Sequence, residues 1–216
     1  LTSEGASYLE KCRVILNLVD AAETGIAQER LTPRGLIRIS VPLSFGLKRV
    51  MHHLLEFMRR YPEVHVDMDY SDRRVNLIED GIDLSIRITP KLESSDVVRK
   101  ISHSRLSVIA SPNYVARCGA PLHPSELIHH QCLGYTIAGG PQAWQFLIDG
   151  QLQSFPIRSQ INANNGEVLT EAAAQGLGIT CQPDFIVEPA LSEGKVKEIL
   201  TNFPMPELGI YAMLPS

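Results

Sequence analysis

Leu36-Ile37-Arg38-Ile39-Ser40-Val41, with the residues that follow as far as Ile88, decides the fold. The run is apolar and β-branched, with Ile37, Ile39 and Val41 on one face, which predicts a buried strand. Pro42-Leu43-Ser44-Phe45-Gly46 turns the chain. Leu47, Met51, Leu54, Leu55 and Met58 then recur at helical spacing. That helix should stop before Tyr61-Pro62, because proline disfavours helix in the residue preceding it. Val64, Val66, Met68 and Tyr70 alternate and predict a second strand. A short helix is expected around Val75, Leu77 and Ile78, closed by Gly81 as its C-terminal cap, before a third strand through Ile82, Leu84, Ile86 and Ile88. Strand, helix, strand, helix, strand in so short a stretch implies a parallel sheet with right-handed crossovers.

Working outward towards the C-terminus, the sequence turns polar after Thr89-Pro90, and Leu106 to Ala110 reads as the next strand. Ser111-Pro112 opens a helix with proline at its first position, and Pro124-Ser125-Glu126-Leu127 starts another. Cys132 to Ile137 and Trp144 to Ile148 read as strands, separated by a turn at Gly139-Gly140-Pro141. Asp149-Gly150 is a hairpin signal that joins the second of these to the run from Leu152 to Ile161. Asn164-Asn165-Gly166 precedes a helix through Val168, Leu169, Ala172 and Ala173. Gly176-Leu177-Gly178 ends that helix and feeds a buried strand, Ile179 to Gln182. A helix from Pro183 to about Leu191 and strands at Val196 to Leu200 and Leu208 to Leu214 complete a second α/β unit.

Working outward towards the N-terminus, Leu9, Cys12, Leu16, Val19 and Ile26 recur at spacings of three and four, and Glu23 fills the one skipped position. This narrow seam with charged flanks (Glu10, Lys11, Arg13, Asp20) is the pattern of a helix that zips to a partner helix. An amphipathic helix lying on its own domain is the alternative. Leu31-Thr32-Pro33-Arg34-Gly35 ends it. The chain opens with Leu1 rather than Met, so a preceding segment is expected.

The 216 residues are 44% hydrophobic and 20% charged, enough apolar content to bury a core and too much for disorder. No apolar run reaches the ~18 residues of a membrane span. The net charge of -4 argues that this chain as a whole does not grip a nucleic-acid backbone; the pairs Arg59-Arg60 and Arg73-Arg74 are too short to change that. Cys12, Cys118, Cys132 and Cys181 are scattered, which fits a reducing cytoplasm. No nucleophile elbow, P-loop or dinucleotide fingerprint is present, so no enzyme activity and no cofactor is expected. His52-His53 and His129-His130 are adjacent pairs that diverge on a helix, so no metal site is expected either. Cys132 and Cys181 sit in apolar strands and read as core packing, and Asp67, Asp69 and Asp72 as the solvent face of a strand and turn.

Two helix starts stand out: Ser44, directly after the first strand, and Asn164-Asn165-Gly166 in the second half. Ligands of parallel sheets collect beyond the carboxyl ends of strands, and a helix N-terminus offers free N–H groups and a positive dipole end. Both starts could converge on one anion, or Ser44 and Asn165 could be plain caps worth ~1 kcal/mol each.

Taken in order, several segments resemble the LysR-type transcriptional regulators without their N-terminal winged helix-turn-helix. Leu1-Thr2-Ser3-Glu4-Gly5 and the helix to Gln28 resemble that family's wing end and linker helix. Gly35-Leu36-Ile37-Arg38-Ile39-Ser40 is similar to the opening strand of its regulatory domain, and Phe57 through Tyr61-Pro62-Glu63-Val64 to its "F...YP.V" element. Asp80-Gly81-Ile82-Asp83-Leu84-Ser85-Ile86-Arg87 resembles its "eG.D.aiR" stretch. Ala110-Ser111-Pro112 with Tyr114, and Gly176-Leu177-Gly178-Ile179 with Pro183, fit as well.

The resemblance implies an α/β fold of two Rossmann-like subdomains, like that of periplasmic binding proteins, preceded by a linker helix. Residues 1–30 would be the linker and dimerisation helix and 36–109 the first part of subdomain I. Residues 110–209 would be subdomain II and 210–216 a strand returning to subdomain I. It implies a bacterial, cytoplasmic effector-binding and oligomerisation domain, with a small carboxylate coinducer in the cleft, self-association as homodimer or homotetramer, and DNA contact only through the absent domain. Effector contacts are implied at Leu43, Ser44 and Phe45, at Arg87 and Thr89, at Tyr135 and Thr136, at Asn164, Asn165 and Gly166, and at Gln182 and Pro183. The linker seam of Leu9, Cys12, Leu16, Val19 and Ile26 would zip the dimer. A periplasmic solute-binding protein of a transporter is the alternative with the same architecture.

Overall fold

The computed structural model describes Gly5, Tyr8, Cys12, Leu16 and residues 33–73, 76–90, 97–136 and 143–215. Gly5, Tyr8, Cys12 and Leu16 are helical, Tyr8 and Leu16 being exposed; Leu9, Val19 and Ile26 of the linker seam lie outside the described residues, as does the Gly139-Gly140-Pro141 turn.

Two sheets carry the fold. In the first, β1 (Gly35–Val41) lies between β2 (Val64–Tyr70) and β3 (Leu84–Thr89), parallel to both, with Gly35 opposite Val64 and Ile39 opposite Leu84. The alternating apolar residues thus make the parallel core expected of them. The crossover from β1 to β2 is one continuous helix, α1. It begins at Leu43–Phe45, passes through a π-turn at Gly46–Val50 and runs on as Met51–Arg60. The wide turn falls where the tip of Tyr70 crowds Gly46: a Cβ there would sit 2.6 Å from Cε1 of that ring.

Two more strands complete the first sheet in the order β2-β1-β3-β12-β4. They are β4 (Val97–Ser104) and β12 (Leu208–Leu214), and β12 runs antiparallel to both β3 and β4. The first sheet is therefore mixed, and β4, in the stretch read as merely polar, is its edge strand. Val-Val-Arg-Lys-Ile-Ser-His-Ser is exposed along most of its length, which is why it lacks a clean apolar alternation. Between β2 and β3, residues 77–81 form turns rather than a helix, closed by Gly81 at φ 63°.

The second sheet has the order β11-β5-β10-β6-β9, formed by β5 (Leu106–Ala110), β6 (Cys132–Tyr135), β9 (Ser159–Ala163), β10 (Ile179–Pro183) and β11 (Lys197–Glu198). Both of its faces are covered. Val108 and Ala110 pack with Tyr114, Leu127 and Phe146 on one side, while Ile109 packs with Leu133, Leu169 and Val187 on the other. The helices α2 (Pro112–Cys118), α3 (Gly166–Ala174) and α4 (Asp184–Ser192) and a 3₁₀ turn at Pro124–His129 supply that cover. A separate hairpin, β7 (Ala143–Ile148) and β8 (Gln151–Pro156), turns at Asp149-Gly150, both with positive φ as a two-residue hairpin turn requires. The run to Ile161 breaks at Ile157-Arg158 into β8 and β9, and the Val196 to Leu200 run shortens to β11, ended by Leu200 at φ 56°.

The chain crosses between the sheets twice, at Arg105 and through residues 199–207. Since β5 belongs to the second sheet, the first crossing precedes residues 106–110 rather than following them. Asp184, at the start of α4, fastens it. Its Oδ1 accepts from Ser104 Oγ at 2.5 Å and its Oδ2 from the Arg105 amide at 3.2 Å, while its own amide donates to Arg105 O at 2.9 Å. A small core between the lobes joins Val41, Phe45, Ile86 and Ile210 to Phe185 and Ile186, with the Phe45 and Phe185 rings edge-on at 5.3 Å. Lys48–Glu167 (3.3 Å) and Arg49–Glu188 (2.8 Å) link α1 to the second lobe at the surface.

Candidate functional site

A cavity of about 550 Å³ opens where the two lobes face each other. Its first-lobe wall comes from the carboxyl ends of three parallel strands: Pro42, Ser44 and Phe45 after β1, Asp72 after β2, and Arg87, Ile88 and Pro90 at the end of β3. The second lobe adds Tyr135 from β6, Gly166 at the start of α3, Cys181, Gln182 and Pro183 from β10, and Phe185 and Ile186 from α4. The hairpin contributes Ala143, Trp144 and Gln145, and the crossings contribute Leu106, Met205, Pro206 and Leu208. Strand ends of both lobes thus converge on one crevice, the place where parallel sheets bind ligands. Its size suits a small molecule.

The polar groups are few, and Arg87 and Gln182 are held in place. Arg87 donates through Nη2 to Ser40 Oγ (3.0 Å) and through Nη1 to the carbonyl of Ile86 (3.0 Å). The Ser40 hydroxyl in turn donates to Asp69 Oδ2 at 2.9 Å, so a fully buried serine links the guanidinium to a carboxylate. Burial lowers the Arg87 pKa, and Asp69 and Asp72 oppose that effect. Burial raises the Asp72 carboxyl, with Arg87 pulling the other way, and pushes the Tyr135 phenol up to about 12, helped by the charge of Asp72. In the second lobe the fully buried Gln182 donates to Thr180 Oγ1 (2.9 Å), which donates to Leu133 O (3.1 Å). Gly166 approaches this amide so closely that a Cβ would lie 2.5 Å from Gln182 Oε1. Cys181 lies against Met205, its Sγ 3.3 Å from the thioether, and burial holds its thiol at about 12. Among the described residues no three His, Cys, Asp or Glu side chains group as a metal site would need.

The family model for the LysR substrate binding domain matches residues 30–216. The chain belongs to that family. An uncharacterised helix-turn-helix regulator of Haemophilus influenzae is 35% identical over 215 residues, all of this chain and 75% of the relative. The regulator CrgA of Neisseria meningitidis is 34% identical over 94% of this chain and 67% of its own length. In three dimensions the chain is similar to full-length AphB of Vibrio cholerae (TM-score 0.82, 27% identity, 100% of this chain and 74% of that one). It is also similar to CrgA (TM-score 0.75, 32% identity, 100% and 74%). The fold is that of the LysR regulatory domains, two lobes like those of periplasmic binding proteins. These relatives are transcriptional regulators, not enzymes, which separates the regulator from the transport alternative.

Of the contacts implied by the likeness to LysR regulators, Ser44, Phe45, Arg87, Tyr135, Gly166, Gln182 and Pro183 line the cavity; Leu43, Thr89, Thr136, Asn164 and Asn165 do not. Asn165 acts as a cap: its Oδ1 accepts from the Val168 amide at 3.1 Å. Ser44 is buried, yet α1 has no side-chain cap. The two helix starts therefore differ, one closed by its own side chain and the other turned into the cleft. Asp69 and Asp72 leave the solvent-face role read from their spacing, the first bonded to Ser40 and the second on the cavity wall; only Asp67 stays outside, 3.7 Å from Arg38. Trp144 and Met205 were hidden from sequence reasoning, since one lies in a hairpin outside both sheets and the other in the return crossing.

Proposed function

We propose that this chain is the effector-sensing and self-associating part of a bacterial, cytoplasmic LysR-type regulator, and that its effector is a small carboxylate bound between the lobes. One observation carries the reading: Arg87 and the uncapped start of α1 at Ser44 face the same cavity as Gly166 and Gln182 from the opposite lobe. A guanidinium and the N–H groups of a helix start favour an anion. A ligand held by both lobes favours the closed arrangement by its differential affinity, and by no more than that. The two crossings, at Arg105 and residues 199–207, are the joints about which the lobes would turn. Linker helices paired across a dimer or a dimer of dimers would carry that turn to DNA-binding domains.

The test is a thermal-shift screen of small carboxylates followed by calorimetry. A ligand at 100 times its dissociation constant stabilises the chain by ~2.7 kcal/mol. For a domain of this size that raises Tm by about 5–10 °C. Ser44→Ala should weaken binding of each hit and leave the melting of the free chain nearly unchanged. Equal titrations of variant and parent, or no carboxylate that moves the Tm, refute the reading.

A further inference from the structure

Among the described residues only two charged side chains line the cavity, Asp72 and Arg87, and both belong to the first lobe. Arg87 is wired through Ser40 to Asp69, so the acid that answers its charge lies behind the wall. Among the described residues Asp72 has no such partner. No ion pair and no side-chain hydrogen bond among the described residues closes on its carboxylate, although Arg87 is near enough to act on it through space. Across the opening stands Tyr135, whose phenol senses the Asp72 charge. Phe45, Trp144 and Phe185 supply aromatic walls.

This wall therefore presents a positive and a negative group within electrostatic reach of each other but with no ion pair joining them. A half-buried carboxylate repels a second carboxylate and takes a cation or a strong donor; a guanidinium takes a carboxylate. The aromatic lining of the cavity can take a cation as well as an apolar group. We propose that the cleft recognises a zwitterionic amino acid, its carboxylate on Arg87 and Ser44, its ammonium on Asp72, and an apolar side group against Phe45, Trp144 and Phe185. This rests on the carboxylate reading above and narrows it. Asp72 is then the residue that separates amino acids from simple acids.

The probes are L-phenylalanine, 3-phenylpropionate and phenethylamine, with L-leucine, 4-methylpentanoate and 3-methylbutylamine as the aliphatic set, titrated into the full chain. An amino acid should bind, and its deaminated and decarboxylated counterparts should each bind at least about tenfold more weakly, because a site built for a charged group is left unpaired without it. Asp72→Asn should weaken the amino acid about tenfold or more and tighten the deaminated acid, an inversion that a merely structural role would not produce. Asp72→Glu should keep the parent's preference, which guards against a folding defect in the amide variant. Parent binding of the deaminated acid as tight as that of the amino acid overturns the inference and leaves the carboxylate reading standing. Binding of no probe in either set overturns the inference and leaves the carboxylate reading to the broader screen; binding of the amine alone overturns both.

Discussion

Replacing Asp184 by alanine should loosen the first crossing between the lobes. The carboxylate accepts from Ser104 Oγ at 2.5 Å, from the Phe185 amide at 2.8 Å and from the Arg105 amide at 3.2 Å. Ser104 is only 1% exposed, so its hydroxyl would lose its short bond and keep only the long one to Arg105 O at 3.4 Å. The Phe185 amide lies in the first turn of α4, where helix N–H groups have no partner of their own. Hydrogen bonds to a charged acceptor contribute ~1.5–3 kcal/mol each, but Asp184 is half-buried and water would replace part of that, so the net loss should be about 3 kcal/mol. A domain of this size would melt about 6–12 °C lower. Asp184→Asn keeps one acceptor oxygen but turns an N–H towards a donor, and about half the loss is expected. Urea unfolding followed by circular dichroism reads both, with an unchanged m value if only stability has moved. A loss under ~1 kcal/mol for the alanine variant would show that the carboxylate does not hold the crossing.

Asn165→Ala removes the cap of α3 and should cost about 1 kcal/mol in the same measurement, whereas a loss near zero would return that side chain to the candidates for ligand contact. Gly178→Ala should be worse, at about 1–3 kcal/mol, because its Cβ would sit 2.6 Å from the backbone oxygen of Gln131, which cannot swing aside; a thermal melt as high as the parent's would refute this. Burial pushes the Cys132 and Cys181 thiols up to about 12, so in the native chain an aromatic disulfide reagent near neutral pH should label exposed Cys118 much faster than Cys181 on the cavity wall, and reach buried Cys132 only after unfolding. Because the folded state keeps these protons longer than the unfolded chain does, stability should fall as pH rises from about 9 towards about 12; a melting temperature flat across that window would contradict it.

The parallel core was legible because Ile37, Ile39 and Val41, and Val64, Val66 and Met68, alternate on strands that bury one face or both. The hairpin was legible for a different reason, since Asp149-Gly150 names its own turn. The edge strand β4 was not: an exposed strand needs no apolar pattern, and Arg99, Lys100 and His103 satisfy its geometry without leaving a signal. Part of the cavity wall was reachable by asking where strands end, which points to Ser44, Phe45, Arg87 and Gln182. Asp72, Trp144 and Met205 were beyond that rule. They arrive from a turn, a detached hairpin and a crossing segment, so what they share is position in space and nothing in sequence.

Ser104 and Leu208 are register partners across β4 and β12, so the chain leaves the first sheet and re-enters it at adjoining points. Everything from Arg105 to Glu207 is, in topological terms, an insert spliced into a hairpin whose two arms are already paired. Closing that hairpin with a tight turn would excise the insert and leave the first sheet's strand order intact. The same junction is a natural place to graft the distal lobe of another regulator and so exchange half of the binding cleft without disturbing a strand.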